Sequence, residues 1–277
     1  MIKVYVFVII IFALMIHFDD GIPFLETEWF QSYWTISIPI AIVYVALIVS
    51  LPNWIRKPIK CLEYLRIWNF TLMIFSVMAT YRLGMNFVEK IYQRGLRASY
   101  CDRDYHHDRR VYYWYFLFVS SKLFEMGDTI FLLARQKRVR FIHWFHHVLT
   151  MIYSLYIAVY LPAIGRWMST MNTAIHSLMY GYYYLQSCQI RLPGSVAITV
   201  TILQTSQMFI GLTINSLAFY EKWMITDSNC SNGGYTVESG LVMYIIYVAL
   251  FTHLFRKEMK RHSLKNHVIK RAKLTNK

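Results

Sequence analysis

The sequence predicts an all-α integral membrane protein, a bundle of seven transmembrane helices preceded by one further hydrophobic segment. Two observations lead there. Of the 277 residues 56% are hydrophobic and 17% aromatic, and only 16% are charged, against roughly 25% in an average soluble domain. Apolar runs of about twenty residues recur along the chain, each long enough to carry a helix across a bilayer core.

The extra segment comes first. IKVYVFVIIIFALMIHF, residues 2–18, follows the short basic start of a signal sequence (Lys3), yet HFDDG offers no clear small-residue cleavage site. Residues 1–20 thus stay open as a signal sequence, a signal anchor or an extra span. Seven runs follow near 34–51, 65–83, 111–134, 141–160, 166–187, 196–218 and 238–255. With no internal repeat, heptad array or long Pro/Gly/Ser linker, residues 34–255 form one predicted membrane domain and 256–277 a disordered basic tail.

A net charge of +14 would suggest nucleic acid in a soluble protein, but its placement points to topology. Arg135, Lys137, Arg138 and Arg140 fill one short turn. The tail after Phe255 carries Arg256, Lys257, Lys260, Arg261, Lys265, Lys270, Arg271, Lys273 and Lys277. With seven spans counted from residue 34, both lie on one side, together with Arg56, Lys57 and Lys60. The positive-inside tendency makes that side cytosolic and puts the segment before the first span on the other. The loop at 84–110 departs only mildly, because Glu89, Asp102, Asp104 and Asp108 dilute its arginines. The tail reads as a topological, lipid-facing feature, with no nucleic acid as partner.

Under this topology Cys101 and Cys230 fall in the two long non-cytosolic loops, whereas Cys61 and Cys188 sit at cytosolic span ends. An oxidising compartment would permit a Cys101–Cys230 disulfide, and two free thiols fit the sequence as well. Asn229 heads an N-C-S sequon in the same loop, close to the membrane; Asn69 heads another, NFT, inside a predicted span.

Polar residues inside spans are costly, so they face the bundle interior and mark a site. SKLFEMGDTIFLL puts Lys122, Glu125, Asp128 and Thr129 on one helical face, and RFIHWFHHVL puts His143, His146 and His147 on another. MNTAIHSLMYGYYY aligns Asn172, His176, Met179, Tyr180 and Tyr183, and TILQTSQM aligns Thr201, Gln204 and Gln207. At about 1.5 Å per residue, Asp128 lies on the order of 12 Å before the QKRVR turn and His146 a similar distance after it. His176 and Gln204 lie on the order of 15 Å from their own cytosolic ends. One level therefore holds all four, which predicts a buried polar chamber in the cytosolic half of the bundle. The bland reading, hydrogen bonds between membrane helices, suits Thr201, Gln207 and Asn172 equally well. Lys122 with Glu125 fits a structural ion pair, and the many tyrosines fit packing or an interfacial belt.

His143, His146, His147 and His176 could bind zinc or iron. Di-iron desaturases and hydroxylases also use HxxHH boxes, but need about eight histidines to hold two irons. This chain buries four, which disfavours iron and leaves one zinc open. Without metal, clustered imidazoles act as nucleophile and general base near neutral pH. Attack on a thioester would give an acyl-imidazole, still activated for a second substrate. No cysteine lies at that depth as an alternative nucleophile, and neighbouring His and Gln donors would stabilise an enolate or oxyanion.

At these residues the sequence resembles the ELO (ELOVL) family of very-long-chain fatty acid elongases. Lys122, Glu125, Asp128 and Thr129 match KxxExxDT, and His143, His146 and His147 match HxxHH. Asn172, His176, Met179, Tyr180, Tyr182 and Tyr183 match NxxxHxxMYxYY, and Thr201, Gln204 and Gln207 match TxxQxxQ. HxxHH alone says little, but four ordered motifs across residues 34–255 say much more. The resemblance implies a seven-span endoplasmic reticulum enzyme with a cytosolic C-terminus, which condenses a long-chain acyl-CoA with malonyl-CoA to 3-oxoacyl-CoA, carbon dioxide and CoA. It implies a tunnel between the helices that takes the acyl tail towards the lumen. CoA would enter from the basic face, where Arg135, Lys137, Arg138 and Arg140 either meet its phosphates or serve only as topology signals.

His146 is then the expected nucleophile and His176 its facing partner. His143 and His147 would position or shuttle protons, Asp128 and Glu125 would orient imidazoles, and Lys122 would complete the catalytic set. Asn172, Tyr180, Tyr183, Gln204 and Gln207 would line the substrate site. No metal or cofactor is required beyond the two CoA substrates, and the remaining expected partners are the bilayer and the other enzymes of the elongation cycle. The family's lumenal-loop cysteines fit Cys101 with Cys230. The segment before residue 19 and the terminus KLTNK, which lacks a dilysine pair, depart from the family pattern. HWFHH and TSQM look closer to the branch acting on saturated and monounsaturated chains than to the polyunsaturated branch. The competing classes fit less well. A receptor would open its pocket to the non-cytosolic side, and a transporter would show paired Gly/Pro helix breaks.

Overall fold

The computed structural model describes residues 2–19, 34–225 and 229–275, and among these every regular element is helical. The elements are α1 (Ile2–His17), α2 (Ser37–Trp54, led by a 3₁₀ turn at Trp34–Ile36), α3 (Leu62–Cys101), α4 (Arg109–Glu125) and α5 (Gly127–Ala134). Then come α6 (Phe141–Tyr160), α7 (Gly165–Ser187), α8 (Gly194–Met224) and α9 (Thr236–Thr275). Four stretches are long and apolar enough to cross a membrane: Trp34–Trp54, Leu62–Cys101, Gly194–Met224 and Thr236–Leu264. That is fewer than the seven expected. Of the helices left out, α4 and α5 are too short by themselves, 17 and 8 residues, because a break divides their run, while α6 and α7 carry the His and Asn side chains of the motifs, which lower their hydropathy.

Three boundaries differ from the sequence expectation, each for a local reason. The run at 111–134 is two helices. Thr129 N bonds back to Met126 O across the break, and Gly127 packs so tightly that a Cβ there would lie 2.7 Å from Trp68 Cζ2. Helix α3 continues well past residue 83, because helix formers such as Glu89, Lys90 and Arg97 sustain it after the apolar run has ended. It is interrupted at Gly95, whose φ of 77° and ψ of 176° belong to a region open essentially to glycine alone. Helix α9 runs on to Thr275, so the tail expected to be disordered from residue 256 is helical there; residues 276–277 lie outside the described residues. The N-terminus of α4 is capped by Asp108, whose carboxylate accepts from Arg110 N at 2.9 Å and Val111 N at 3.3 Å.

Helices α3 and α7 make the most extensive pair, and α8 with α9 the next. Helix α6 runs between two cores. Its Met151, Leu155 and Ala158 join Phe75, Trp114 and Phe118, while its Tyr153 and Ile157 join Met208, Tyr244 and Tyr247. Outward positions such as Ile42, Val49, Val77 and Ile245 stay exposed, an apolar exterior suited to lipid.

The bundle has a basic end, at the 135–140 turn, and an end tied by a Cys101–Cys230 disulfide. Around that bond Ser231 N donates to Cys101 O at 2.7 Å, and Asn232 Nδ2 donates to Tyr100 O at 3.0 Å. The N-terminal helix α1 lies on α3, with the Tyr5 ring 4.8 Å from Phe70. Beyond it, Asp19 is 1% exposed, pairs with Arg82 Nε at 2.7 Å and accepts from Trp114 Nε1 at 2.8 Å. Of the segment 1–20, whose fate the sequence left open, Met1 and Asp20 lie outside the described residues, as does the stretch 21–33 that follows it.

Candidate active site

A closed ring of polar contacts joins α4 to α7. Lys122 and Glu125, on one face of α4, are 3% and 5% exposed. Lys122 Nζ donates to Glu125 Oε1 at 2.7 Å and to Asn172 Oδ1 at 2.6 Å. With its oxygen taken, Asn172 turns its Nδ2 donor to His176 Nε2 at 3.1 Å. The proton of a neutral His176 therefore sits on Nδ1, which faces Glu125 Oε1 at 3.5 Å. Ser121 Oγ donates to the same carboxylate oxygen at 3.0 Å. Both nitrogens of His176 are engaged.

The three histidines of α6 differ from one another. His143 Nε2 lies 2.8 Å from Thr129 Oγ1. The His147 ring sits 4.5 Å from that of His143 and 5.9 Å from that of His146. His146 Nδ1 is buried and has no hydrogen-bond partner among the described residues. Its ring is held by Tyr247 at 4.7 Å and Phe251 at 5.6 Å. Tyr247 also donates to the His146 carbonyl at 3.2 Å, and its hydroxyl meets Thr150 Oγ1 at 2.7 Å.

From His146 a cavity follows α6 past Thr150, Tyr153, Ser154 and Ile157, walled by Asn172 and Met168 of α7, Gln207 and Met208 of α8, and Met243 and Tyr244 of α9. It is narrow and mostly apolar.

The other expected site residues are placed unevenly. Asp128 was expected to orient imidazoles; its carboxylate instead accepts from Trp68 Nε1 at 2.6 Å and Tyr180 Oη at 2.8 Å, because the break before α5 turns it towards α3 and α7. Gln207 reaches the cavity, whereas Gln204 Nε2 contacts Met179 Sδ at 3.1 Å. Tyr183 is 39% exposed and meets Tyr180 edge-on at 6.3 Å between centroids. On the basic turn Arg135 is half-buried and Arg138 exposed, and Arg140 pairs with Glu258 of α9 at 3.0 Å; none joins the ring around His176. Among the described residues no three His, Cys, Asp or Glu side chains come together as metal ligands.

Four residues outside the sequence reading belong to this site: Tyr44, Trp68, Ser121 and Tyr247. The signal available for the two tyrosines was a hydroxyl deep in an apolar run, which must find a partner.

The ELO family model, described as the GNS1/SUR4 family, matches residues 29–267. The chain belongs to the ELO family. This ELO protein is 33% identical to very long chain fatty acid elongase 6 of Mus musculus, over 82% of its own length and 86% of that relative's. It is 33% identical to long chain fatty acid elongase 1 of Caenorhabditis elegans, over 88% and 85%, and 30% identical to very long chain fatty acid elongase 3 of Homo sapiens, over 86% and 87%. Family membership and several long apolar helices together make it a multi-pass membrane protein. Within it, the ring around His176 and the cavity below His146 meet at Asn172, which belongs to both.

Proposed function

We propose that this ELO protein is a very-long-chain 3-oxoacyl-CoA synthase, condensing a long-chain acyl-CoA with malonyl-CoA, with saturated and monounsaturated chains preferred over polyunsaturated ones. The observation that carries the reading is the unpaired, buried ring nitrogen of His146, a residue that lines an apolar cavity. A neutral imidazole with an unshared lone pair is a nucleophile, and His176, with both nitrogens engaged, is not.

The imidazole attacks the thioester carbonyl, the C–S bond breaks, and CoA leaves as the thiol with the proton that the imidazole gives up, relayed through His147. Malonyl-CoA then loses carbon dioxide. Its enolate carbon attacks the acyl-imidazole carbonyl, so that a C–C bond forms as the C–N bond breaks, and a proton taken from solvent and relayed through His147 returns to the leaving imidazole, which regenerates neutral His146. Lys122, Glu125 and Asn172 hold His176 as a fixed neighbour on the opposite wall, and Gln207 supplies an amide donor for developing oxyanion charge. The acyl tail lies along α6 from His146 to Ile157, eleven residues or on the order of 16 Å of helix. CoA phosphates rest on the basic turn with Arg135 and Arg138. This reading needs no metal and no bound cofactor.

The topology that goes with it has seven spans from residue 34 in the endoplasmic reticulum membrane, the basic end and the C-terminus in the cytosol, and the other enzymes of the elongation cycle as partners. Radiolabelled malonyl-CoA, supplied to the purified protein with a panel of acyl-CoAs, is expected to enter 3-oxoacyl-CoA with wild type and not with His146→Ala. A folded wild-type protein that incorporates no label with any acyl-CoA would overturn the reading.

A further inference from the structure

Tyr44 lies in α2, outside all four motifs, and is 6% exposed. Its hydroxyl is 2.5 Å from Thr129 Oγ1, and Thr129, which is fully buried, is 2.8 Å from His143 Nε2. Three groups on α2, α5 and α6 thus form one line, and the count of protons gives it a direction. Each hydroxyl has one proton to donate. Were His143 Nε2–H to donate to Thr129, the Thr129 proton would go to Tyr44, and the Tyr44 proton would have no acceptor among the described residues. Were Tyr44 and His143 both to donate to Thr129, the Thr129 proton would be stranded instead. Only Tyr44 donating to Thr129, and Thr129 to His143 Nε2, gives both hydroxyl protons an acceptor, and a buried hydroxyl that cannot donate is disfavoured.

We propose that Tyr44 is a positioning residue which, through Thr129, holds His143 neutral with its proton on Nδ1, so that His143 serves the reacting centre as a hydrogen-bond donor and not as a base. Protonating Nε2 would reverse the line and strand the Tyr44 proton, which disfavours the imidazolium. His143 and His147, neighbours at 4.5 Å, then divide the work: His143 donates, and His147 is free to carry a proton. The catalytic consequence rests on the condensing-enzyme reading; the tautomer does not.

The test is nitrogen NMR of protein labelled with ¹⁵N-histidine in detergent micelles, with the His143 signals assigned by their loss in His143→Gln. Wild type is expected to show a pyridine-like Nε2 and a pyrrole-like Nδ1 at His143. Tyr44→Phe is expected to mix or reverse that pattern, while Thr129→Ser, which keeps the hydroxyl, preserves it. Thr129→Val, close in shape to threonine, removes the line from its other end and serves if Tyr44→Phe does not fold. A pyrrole-like Nε2 in wild type, or a folded Tyr44→Phe or Thr129→Val protein with an unchanged pattern, would overturn the proposal. In the malonyl-CoA assay Tyr44→Phe is expected to lower kcat about tenfold at unchanged KM for acyl-CoA, as loss of a supporting hydrogen bond does. An inactive wild type with the expected nitrogen pattern would sink the condensing reading and leave the tautomer assignment standing.

Discussion

Lys122 and Glu125 separate what holds the site from what works in it. Both charges are buried, so removing one leaves the other without compensation, at a cost of about 3–5 kcal/mol. Lys122→Met alone is therefore expected to lower the melting temperature in detergent steeply. Lys122→Met with Glu125→Leu, which removes both charges at similar volume, is expected to recover most of that loss. Malonyl-CoA incorporation is expected to stay low in the double variant, because Asn172 and His176 lose the partners that set their orientation. A double variant as unstable as the single would count against the pairing argument. Asp104, at the disulfide end, gives a second test. Although its partial burial alone would raise its pKa, the Lys90 hydrogen bond and the Arg166 charge hold it below the ordinary carboxylate value. A depressed folded pKa stabilises fully above the ordinary value near 3.8, and that stabilisation is lost as pH falls through the lower folded one. Asp104→Asn is thus expected to melt lower than wild type at neutral pH, with the gap closing in strong acid. A gap that is constant with pH would show that the carboxylate charge is not the cause.

The helix break before α5 depends on one glycine and one tryptophan. At Gly127 a Cβ would stand 2.7 Å from Trp68 Cζ2, and Trp68 is held in place by Phe131 and by its bond to Asp128. Gly127→Ala is expected to cost about 1–3 kcal/mol through overpacking, and adding Trp68→Leu is expected to recover part of it. Thermal melts of the two single variants and the double measure the coupling, and strictly additive losses would place the strain elsewhere. This break was not legible in MGDTIFLLA, because a lone glycine within a helical pattern is a weak signal. Helix α6 was legible to the residue, since Arg140 bounds the apolar run on one side and Leu161, in the left-handed conformation, ends the helix before Pro162. The extension of α3 was not, because apolar periodicity fades at charged residues that still favour helix.

The disulfide closes a loop from Cys101 to Cys230, 129 residues apart in sequence, and that loop contains α4 to α8, hence the ring around His176 and the three histidines of α6. Three of the motifs were legible because each is a run of polar side chains on one helix, where period alone brings them to a face; the fourth is divided, with Lys122 and Glu125 on α4 and Asp128 and Thr129 on α5. The cavity was not, because Tyr153, Ser154, Met168, Met208 and Tyr244 come from four helices and carry no spacing that marks them. Acyl chain length is therefore a property of the packed bundle, and Ser154 is the place to test it. Ser154 is 2% exposed, lines the cavity and stands eight residues beyond His146, about 12 Å along the helix. A larger apolar side chain there should block the far part of the cavity and leave the near part open. In the malonyl-CoA assay Ser154→Leu is expected to lower kcat/KM for the longest acyl-CoA accepted by about tenfold, equivalent to about 1.4 kcal/mol of lost apolar burial. Shorter acyl-CoAs, whose tails end before residue 154, should be used as by wild type. A uniform fall across the panel would mean that the substitution disturbs the packing of α6, and that the tail does not follow this helix.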